Sequence, residues 1–234
     1  MLPRGNGFWD IWGQTPGCLR RFFRLPVLGG ILACILLSAC ETSAPYFGRH
    51  QSTGFFDTVV LDAGHGGHDR GARAYKGNHE KVLALDTSKR VARILRENGL
   101  RVIETRTADY FVPLDQRVAI SNRTRNAIFV SIHYNWARRS RASGVETFFS
   151  SSRSSRLAAN IQREILRPYR AIDRGVKKRS FYVLKNNRRP AALVELGFLS
   201  NPSENATIQK SHIRQKLAES VARGILAEKS RRIP

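Results

Sequence analysis

Cysteine is nearly absent from this sequence. The chain of 234 residues contains three, Cys18, Cys34 and Cys40, and all of them lie within the first forty positions. The remaining residues therefore offer neither a disulfide framework nor a thiolate metal site. Any metal bound there must be held by histidine, aspartate or glutamate side chains.

Acidic residues are also scarce, since 18 Asp and Glu accompany 40 Lys and Arg and give a net charge of +22. Such an excess favours polyanionic partners, and nucleic acid is one of them. The basic residues are spread over predicted helix faces, turns and both termini, and the sequence has no zinc-finger spacing, aromatic RNA-binding motif or basic helix leading into heptads. We therefore expect no nucleic-acid partner and interpret the charge as a solvated basic surface.

No apolar run reaches the roughly 20 residues of a membrane span. The longest candidate extends from Leu25 to Ala39 and follows Arg20, Arg21 and Arg24. A positive region, a short apolar stretch and small residues at its end are the layout of a secretory signal.

The end of this signal, Leu37-Ser38-Ala39-Cys40, resembles a bacterial lipobox. The resemblance implies that residues 1–39 form a lipoprotein signal peptide and that Cys40 is lipidated. Glu41 follows the cysteine in place of aspartate, which favours an outer-membrane address. An uncleaved signal anchor is the alternative, and Arg20-Arg21-Phe22-Phe23 also resembles a twin-arginine signal, so the export route stays open.

Residues 40–56 contain turn formers without a sustained period, which is typical of a tether. The sixteen residues after Cys40 can extend roughly 50–55 Å. Without residues 1–39 the chain keeps 36 basic and 17 acidic residues, a net charge of +19, so the basic character belongs mainly to the domain at 57–234.

Apolar strands alternate with amphipathic helices throughout this domain, which predicts a single α/β domain with a roughly six-stranded, largely parallel or mixed sheet and helices on both faces. The predicted strands are Thr58–Leu61, Leu100–Thr105, Ile128–Ile132, Val145–Phe149, Phe181–Leu184 and Ala191–Leu196. The predicted helices are Glu80–Asn98, Leu114–Arg125, Ser154–Leu166 and one from about Glu204 to Glu228.

Four residues with metal-binding or acid–base side chains stand at the ends of these elements or interrupt them. His65 follows the first strand in a glycine-rich loop, Glu80 opens a helix, His133 follows an apolar strand, and Glu195 interrupts another. Ligands in open α/β sheets gather beyond the carboxyl ends of strands, so these side chains are placed to meet. Two histidines, a carboxylate ligand and a separate glutamate can hold a catalytic zinc and activate water, which predicts metal-assisted hydrolysis.

Each residue alone also has a structural interpretation. His65 fits an exposed turn, Glu80 complements a helix dipole, and His133 fits a satisfied core histidine. Glu195 fits a buried ion pair with an arginine, although a carboxylate inside an apolar strand favours a functional role. The neighbouring His68 and His79 are further possible ligands.

The combination of motifs resembles the zinc-dependent N-acetylmuramoyl-L-alanine amidases of the family often called amidase 3. The matching segments are Val60–Gly67 with Asp69 and Gly71, Gly77–Lys81, Thr105-Arg106 with Asp109, Phe129–Asn135, Gly144–Phe148, Asp173–Lys177 and Val194–Asn201. They follow one another in order through nearly the whole domain.

The resemblance implies one zinc ion held by His65, Glu80 and His133, with Glu195 as the catalytic glutamate, and it leaves His68 and His79 without a role. It implies peptidoglycan as substrate and hydrolysis of the bond between N-acetylmuramic acid and L-alanine, in the cell envelope or periplasm. Some relatives carry an inserted autoinhibitory helix between the second histidine and the glutamate. Here the 61 residues between His133 and Glu195 are nearly filled by predicted elements, so we expect no such helix. A zinc peptidase that cuts within the stem peptide and a non-catalytic wall-binding lipoprotein are the alternatives.

Overall fold

Six strands form one mixed sheet in the computed structural model of the protein, which describes residues 56–168 and 171–229. The strands are β1 (Thr58–Ala63), β2 (Arg101–Glu104), β3 (Ala127–Asn135), β4 (Val145–Phe149), β5 (Asp173–Lys178) and β6 (Ala191–Phe198). Their spatial order is β2-β1-β3-β6-β4-β5. The first four in this order are parallel, whereas β4 is antiparallel to β6 and β5 is parallel to β4. The carboxyl ends of β1, β3 and β6 therefore meet at one edge of the sheet.

Helices cover both faces of this sheet. Within the described residues they are α1 (Glu80–Glu97), α2 (Leu114–Arg123), α3 (Ser155–Leu166), α4 (Tyr182–Lys185), α5 (Pro202–Ile208) and α6 (Ser211–Lys229). Helices α1, α3 and α6 pack on one face, and the shorter α2 and α4 pack on the other. The predicted α/β domain with a six-stranded mixed sheet and helices on both faces is confirmed.

Alternation along the strands divides the core into two clusters. In β3, Ile128, Val130 and Ile132 pack with α1, α3 and α6, whereas Phe129 packs on the side of α2 and α4. Successive side chains of a strand point to opposite faces, so His133 shares the face of Phe129. The same alternation places Glu195, two residues after Leu193, on that face of β6. Strand pairing thus brings the two polar residues to the same side of the sheet.

One predicted strand is wrong. The expected strand Phe181–Leu184 overlaps helix α4 (Tyr182–Lys185). The strand that completes the six-stranded sheet is β5 (Asp173–Lys178), which the sequence did not predict. The side chains of Phe181, Val183 and Leu184 suggested a strand because aromatic and β-branched residues favour sheets. Strand β5 has the sequence Asp-Arg-Gly-Val-Lys-Lys and lies at the sheet margin, where charged residues are usual and an apolar run is not needed.

Two further boundaries differ from the expectation. The single helix expected from about Glu204 to Glu228 is two helices, α5 and α6, which are separated at Gln209 and Lys210. Strand β3 continues to Asn135, so His133 lies inside the strand and not after it. Both differences leave the order of the elements unchanged.

The predicted signal peptide, Cys40 and nearly all of the predicted tether lie outside the described residues. The described residues begin at Phe56, which is buried and lies two residues before β1. Among the described helices, none combines the length and the apolar character that a membrane crossing requires.

Candidate metal centre

His65 is held in an unusual backbone conformation directly after β1. Its φ angle is 61°, a value that side-chain-bearing residues seldom adopt, and the three glycines around it give the loop its tight course. The imidazole Nδ1 lies 2.8 Å from Asp69 Oδ2, and Nε2 lies 3.0 Å from Glu80 Oε2. With Nδ1 bound to a carboxylate, Nε2 is the nitrogen that faces the cluster.

Glu80 occupies the first position of α1 and is buried. One carboxylate oxygen, Oε2, accepts a hydrogen bond of 2.7 Å from the backbone N–H of Ala72, and Oε1 accepts one of 3.0 Å from the N–H of Tyr134. Oε1 also lies 2.8 Å from His133 Nδ1. Backbone donors from the loop before α1 and from strand β3 therefore fix the carboxylate between the two histidines.

His65, Glu80 and His133 form one cluster, in which one candidate ligand atom from each residue lies within 4.8 Å of the others. All three residues are buried. The two imidazole rings meet edge to face with centroids 5.0 Å apart. The three side chains that sequence motifs predicted as a ligand set are thus in the same place, although they come from a loop, a helix start and a strand.

Glu195 lies beside this cluster. In the sheet it is the register partner of His133 on β3 and of Glu146 on β4, so the three side chains share one face. The oxygen Oε2 of Glu195 is buried and has no hydrogen-bond partner among the described residues. Buried polar atoms normally have partners, so this oxygen requires a group such as water or substrate to complete its bonding.

The electrostatics of the cluster follow from its burial and its pairing. Burial alone would lower the pKa of His65, but Glu80 and Asp69 outweigh it and raise this pKa to about 10. Burial alone would raise the pKa of Glu80, but the two histidines lower it below its ordinary value. Glu195 differs, because burial and the nearby charges of Glu80 and Glu146 all raise its pKa. A carboxyl group with a raised pKa is suited to accept and return a proton near neutral pH.

Two buried arginines hold the loop that carries His65. Arg106 donates hydrogen bonds to the carbonyls of Ala63 and Gly64 at 2.8 and 2.7 Å, and Arg117 donates to those of Ala63 and His65, both at 2.8 Å. The guanidinium of Arg117 also pairs with buried Asp62 at 2.7 Å. Three successive carbonyls are thereby fixed, which holds His65 in position relative to Glu80.

A second polar group adjoins Glu195. Asn135 Nδ2 donates to Glu146 Oε1 at 2.6 Å, and the Lys177 ammonium pairs closely with the other oxygen. Because both oxygens of Glu146 are engaged, this carboxylate is the anchored member of the Glu146–Glu195 pair. Lys177 comes from β5, the strand that the sequence did not predict.

The other two candidate histidines make different contacts. His68 lies against Phe111, with ring centroids 4.2 Å apart, and the Nδ1 of His79 accepts a bond of 3.3 Å from the N–H of Ala74. Neither residue belongs to the cluster. Sequence reasoning missed the roles of Asp69, Arg106 and Arg117 around His65. Asp62 carried the same signal as Glu195, a charged residue inside an apolar strand, and could have been found by it.

Residues 59–227 match the amidase 3 family, whose members are described as N-acetylmuramoyl-L-alanine amidases. The chain belongs to this family. The match spans the sheet, the cluster and both helical layers, and it makes this domain an amidase.

Relatives and solved structures agree with this assignment. The chain is 36% identical over 211 residues to the uncharacterized protein YqiI of Bacillus subtilis, a match that covers 88% of this chain and 97% of that one. It is 33% identical to the N-acetylmuramoyl-L-alanine amidase LytC of B. subtilis over 175 residues, which are 73% of this chain and 35% of LytC. The amidase AmiC2 of Nostoc punctiforme has a similar structure, with a TM-score of 0.72, 38% identity and coverage of 74% of this chain and 97% of that one.

The donor set of the cluster fits a zinc ion. Two imidazoles and one carboxylate are a common set in catalytic zinc sites, which keep a further position for water or substrate. Asp69 on Nδ1 of His65 is the kind of partner that ligand histidines have, because it fixes the tautomer and the ring orientation. The buried Oε2 of Glu195, which has no hydrogen-bond partner among the described residues, lies beside this cluster.

Proposed function

We propose that this amidase hydrolyses the amide bond between N-acetylmuramic acid and L-alanine in peptidoglycan, with zinc held by His65, Glu80 and His133 and with Glu195 as the general base. The observation that carries the proposal is the buried cluster of three ligand-type side chains beside a glutamate with a partnerless oxygen. When bound, zinc would polarise the scissile carbonyl and lower the pKa of an attacking water.

Glu195 performs the proton transfers in this scheme. Its raised pKa, which results from burial and from Glu80 and Glu146, allows it to take a proton from the attacking water. The same carboxyl group then returns the proton to the amine of L-alanine as the C–N bond breaks. Glu146, which is held by Asn135 and Lys177, lies beside Glu195, and its charge is one cause of the raised pKa of Glu195.

The remaining residues position the ligand set. Asp69 fixes the ring of His65, and the N–H groups of Ala72 and Tyr134 fix both oxygens of Glu80. Arg106 and Arg117 hold the loop carbonyls, so none of these groups needs to reorganise during the reaction. The amidase thereby presents its polar groups in advance to the charge that develops on the substrate.

Product analysis of digested peptidoglycan tests the proposal. The purified enzyme is incubated with intact wall, with and without a zinc chelator, and the released fragments are identified by mass spectrometry. We expect free stem peptides that begin with L-alanine, and we expect the chelator to abolish their release. Fragments cut inside the stem peptide would support a peptidase instead, and binding without any release would support a non-catalytic wall protein.

We further propose that the chain is a lipoprotein of the cell envelope, anchored through Cys40 after removal of residues 1–39. The lipobox-like Leu37–Cys40 and the preceding arginines support this proposal. Mass spectrometry of the mature N-terminus should show a lipid-modified Cys40 in an outer-membrane fraction. A Cys40→Ala variant that remains in the same membrane fraction, with the same electrophoretic mobility, would contradict it.

A further inference from the structure

The edge of the sheet opposite the metal centre carries exposed basic side chains, which we call the basic edge: Arg101, Arg123, Arg125, Lys185 and Arg188. All five are exposed, and none forms an ion pair with a carboxylate in the described part of the chain. Basic groups in such number without carboxylate partners give this edge a positive potential, which attracts anions.

The fold brings these residues together from four segments. Arg101 opens β2 and pairs in register with Thr58 at the start of β1, and Arg123 and Arg125 flank the end of α2. The backbone N–H of Arg188 donates a bond of 2.7 Å to Asn122 Oδ1, so the loop before β6 lies against the end of α2. These contacts hold the segments next to one another at this end of the sheet.

A cleft of about 790 Å³ opens within the basic edge. Its walls include Arg101, Arg123 and Arg125 together with the polar residues Thr58 and Asn126. Asp57 is the acidic residue of the cleft, and its carboxylate accepts a bond of 2.7 Å from the Thr58 hydroxyl. Three cations against one occupied carboxylate leave the cleft with a net positive charge.

The position of this edge favours one kind of anion. Strands β1, β3 and β6 begin here and end at the metal centre, and the six residue steps from Ala127 to His133 separate the two edges by about 20 Å. The described chain also begins here, since the N–H of Asp57 bonds to the carbonyl of Asn126 at 3.1 Å. The preceding segment, which contains Cys40, is therefore attached to the domain at the basic edge.

We propose that the basic edge docks on the anionic phospholipid headgroups of the membrane to which the chain is anchored, with the metal centre facing away from that membrane toward the wall. This inference rests on the proposed function for the lipid on Cys40 and for the wall as substrate. Sixteen residues lie between Cys40 and Asp57, so the tether permits the domain to reach the membrane surface. Each arginine near an anionic surface strengthens binding roughly fivefold, and salt weakens it.

Co-sedimentation with lipid vesicles tests the proposal. The full chain carries Cys40→Ser, so no lipid is attached there, and its partition onto phosphatidylcholine vesicles is compared with partition onto vesicles that also contain phosphatidylglycerol. The test variant is R123Q/R125Q/R188Q. The matched control is R138Q/R139Q/R141Q, which removes three exposed charges from the loop at the opposite edge.

We expect the test variant to lose roughly 100-fold in partition onto the anionic vesicles, and the control to lose less than about threefold. Lysine at the same three positions should restore binding, which excludes a folding defect as the cause of the loss. Equal losses in the two triple variants, or no loss in the test variant, would overturn the proposal.

Purified wall provides the second arm of the experiment. If the test variant loses binding to peptidoglycan and keeps binding to anionic vesicles, the basic edge recognises wall polymer, and the membrane proposal is wrong. Stem-peptide release from soluble wall fragments is measured for both variants without vesicles and should equal that of the parent chain. Failure of this release in the parent would contradict the proposed function and would leave the vesicle comparison valid.

Discussion

Replacement of Asp69 by asparagine gives the sharpest prediction about the surroundings of the proposed zinc ligands. The two oxygens of Asp69 accept from different donors, His65 Nδ1 at 2.8 Å and the N–H of Gly71 at 3.0 Å. Asparagine has a single acceptor oxygen, so one of these donors must lose its partner. The substitution keeps the size of the side chain and removes its charge, and the loss is therefore electronic and orientational rather than steric.

The expected loss of zinc affinity is 10- to 100-fold, or about 1.4–2.7 kcal/mol, which is typical when the outer partner of a ligand histidine is removed. A lower pKa of His65 in the variant would oppose this loss of affinity, because the proton would then compete less with zinc for the imidazole. Glu80 contributes more than Asp69 to the raised pKa of His65, so this compensation is the smaller effect. The side chain of Asp69 is 37% exposed, and we expect less than about 1 kcal/mol of change in folding stability.

Competition with a chromogenic zinc chelator measures the affinity directly. The matched control is Asp115→Asn, which removes one exposed carboxylate from the first turn of α2 and should leave the affinity within twofold of the parent. An unchanged or higher affinity in Asp69→Asn would refute the role assigned to this side chain. An equal loss in the control would show that the effect is one of net charge.

Three other predictions concern the supports of the centre and its titration. Arg117→Met leaves Asp62 buried without its ion pair, so denaturant unfolding should show a loss of about 3–5 kcal/mol in the free energy of unfolding. The double variant with Asp62→Asn should recover part of this loss. A loss below about 1 kcal/mol in Arg117→Met would contradict a stabilising role for this ion pair. Gly71→Ala places a Cβ 2.5 Å from the ring of His65 and should weaken zinc binding. The control Gly99→Ala has a similar positive φ, but its Cβ would have no described atom within 4 Å, so zinc binding should be unchanged. Equal zinc affinities in the two variants would exclude crowding as the cause. In the chelated protein, burial alone would lower the pKa of His65, but its carboxylate partners raise it from 6.5 to about 10. The stabilisation of the fold by this pairing is therefore complete below about pH 6.5 and is lost as the pH rises to about 10. Urea midpoints that rise over this range would contradict the pairing.

The sequence was sufficient to predict the fold class, and it placed His65, Glu80, His133 and Glu195 at or near element ends that the structure brings together, because these signals are local. A histidine after an apolar strand and a glutamate inside one can be recognised without knowledge of distant contacts. His133 and Glu195 also lie in strands whose pairing is fixed by apolar alternation, so their side chains had to share a face. The positions of site residues were therefore predictable where these residues lie in strands with a clear burial pattern.

The features that the sequence did not predict depend on contacts between distant residues. Strand β5 has no apolar run, since it lies at the margin of the sheet, and its Lys177 reached Glu146 only through a pairing that the sequence does not reveal. Arg106 lies in a motif segment that matches the family and Arg117 in none, but the sequence indicated no contact for either side chain. Their roles depend on loop carbonyls that are 42 to 54 residues away along the sequence. Such contacts follow from the tertiary structure and not from any local pattern.

In the proposed mechanism, His65, Glu80 and His133 bind the metal and Glu195 moves the proton. The most direct test measures zinc content and turnover on purified peptidoglycan in the same preparations of Glu195→Gln and His133→Ala. We expect Glu195→Gln to keep about one zinc per chain and to lose about 10²–10⁴-fold in turnover, whereas His133→Ala should lose both. Near-normal turnover in Glu195→Gln, or full zinc content in His133→Ala, would contradict the proposed mechanism.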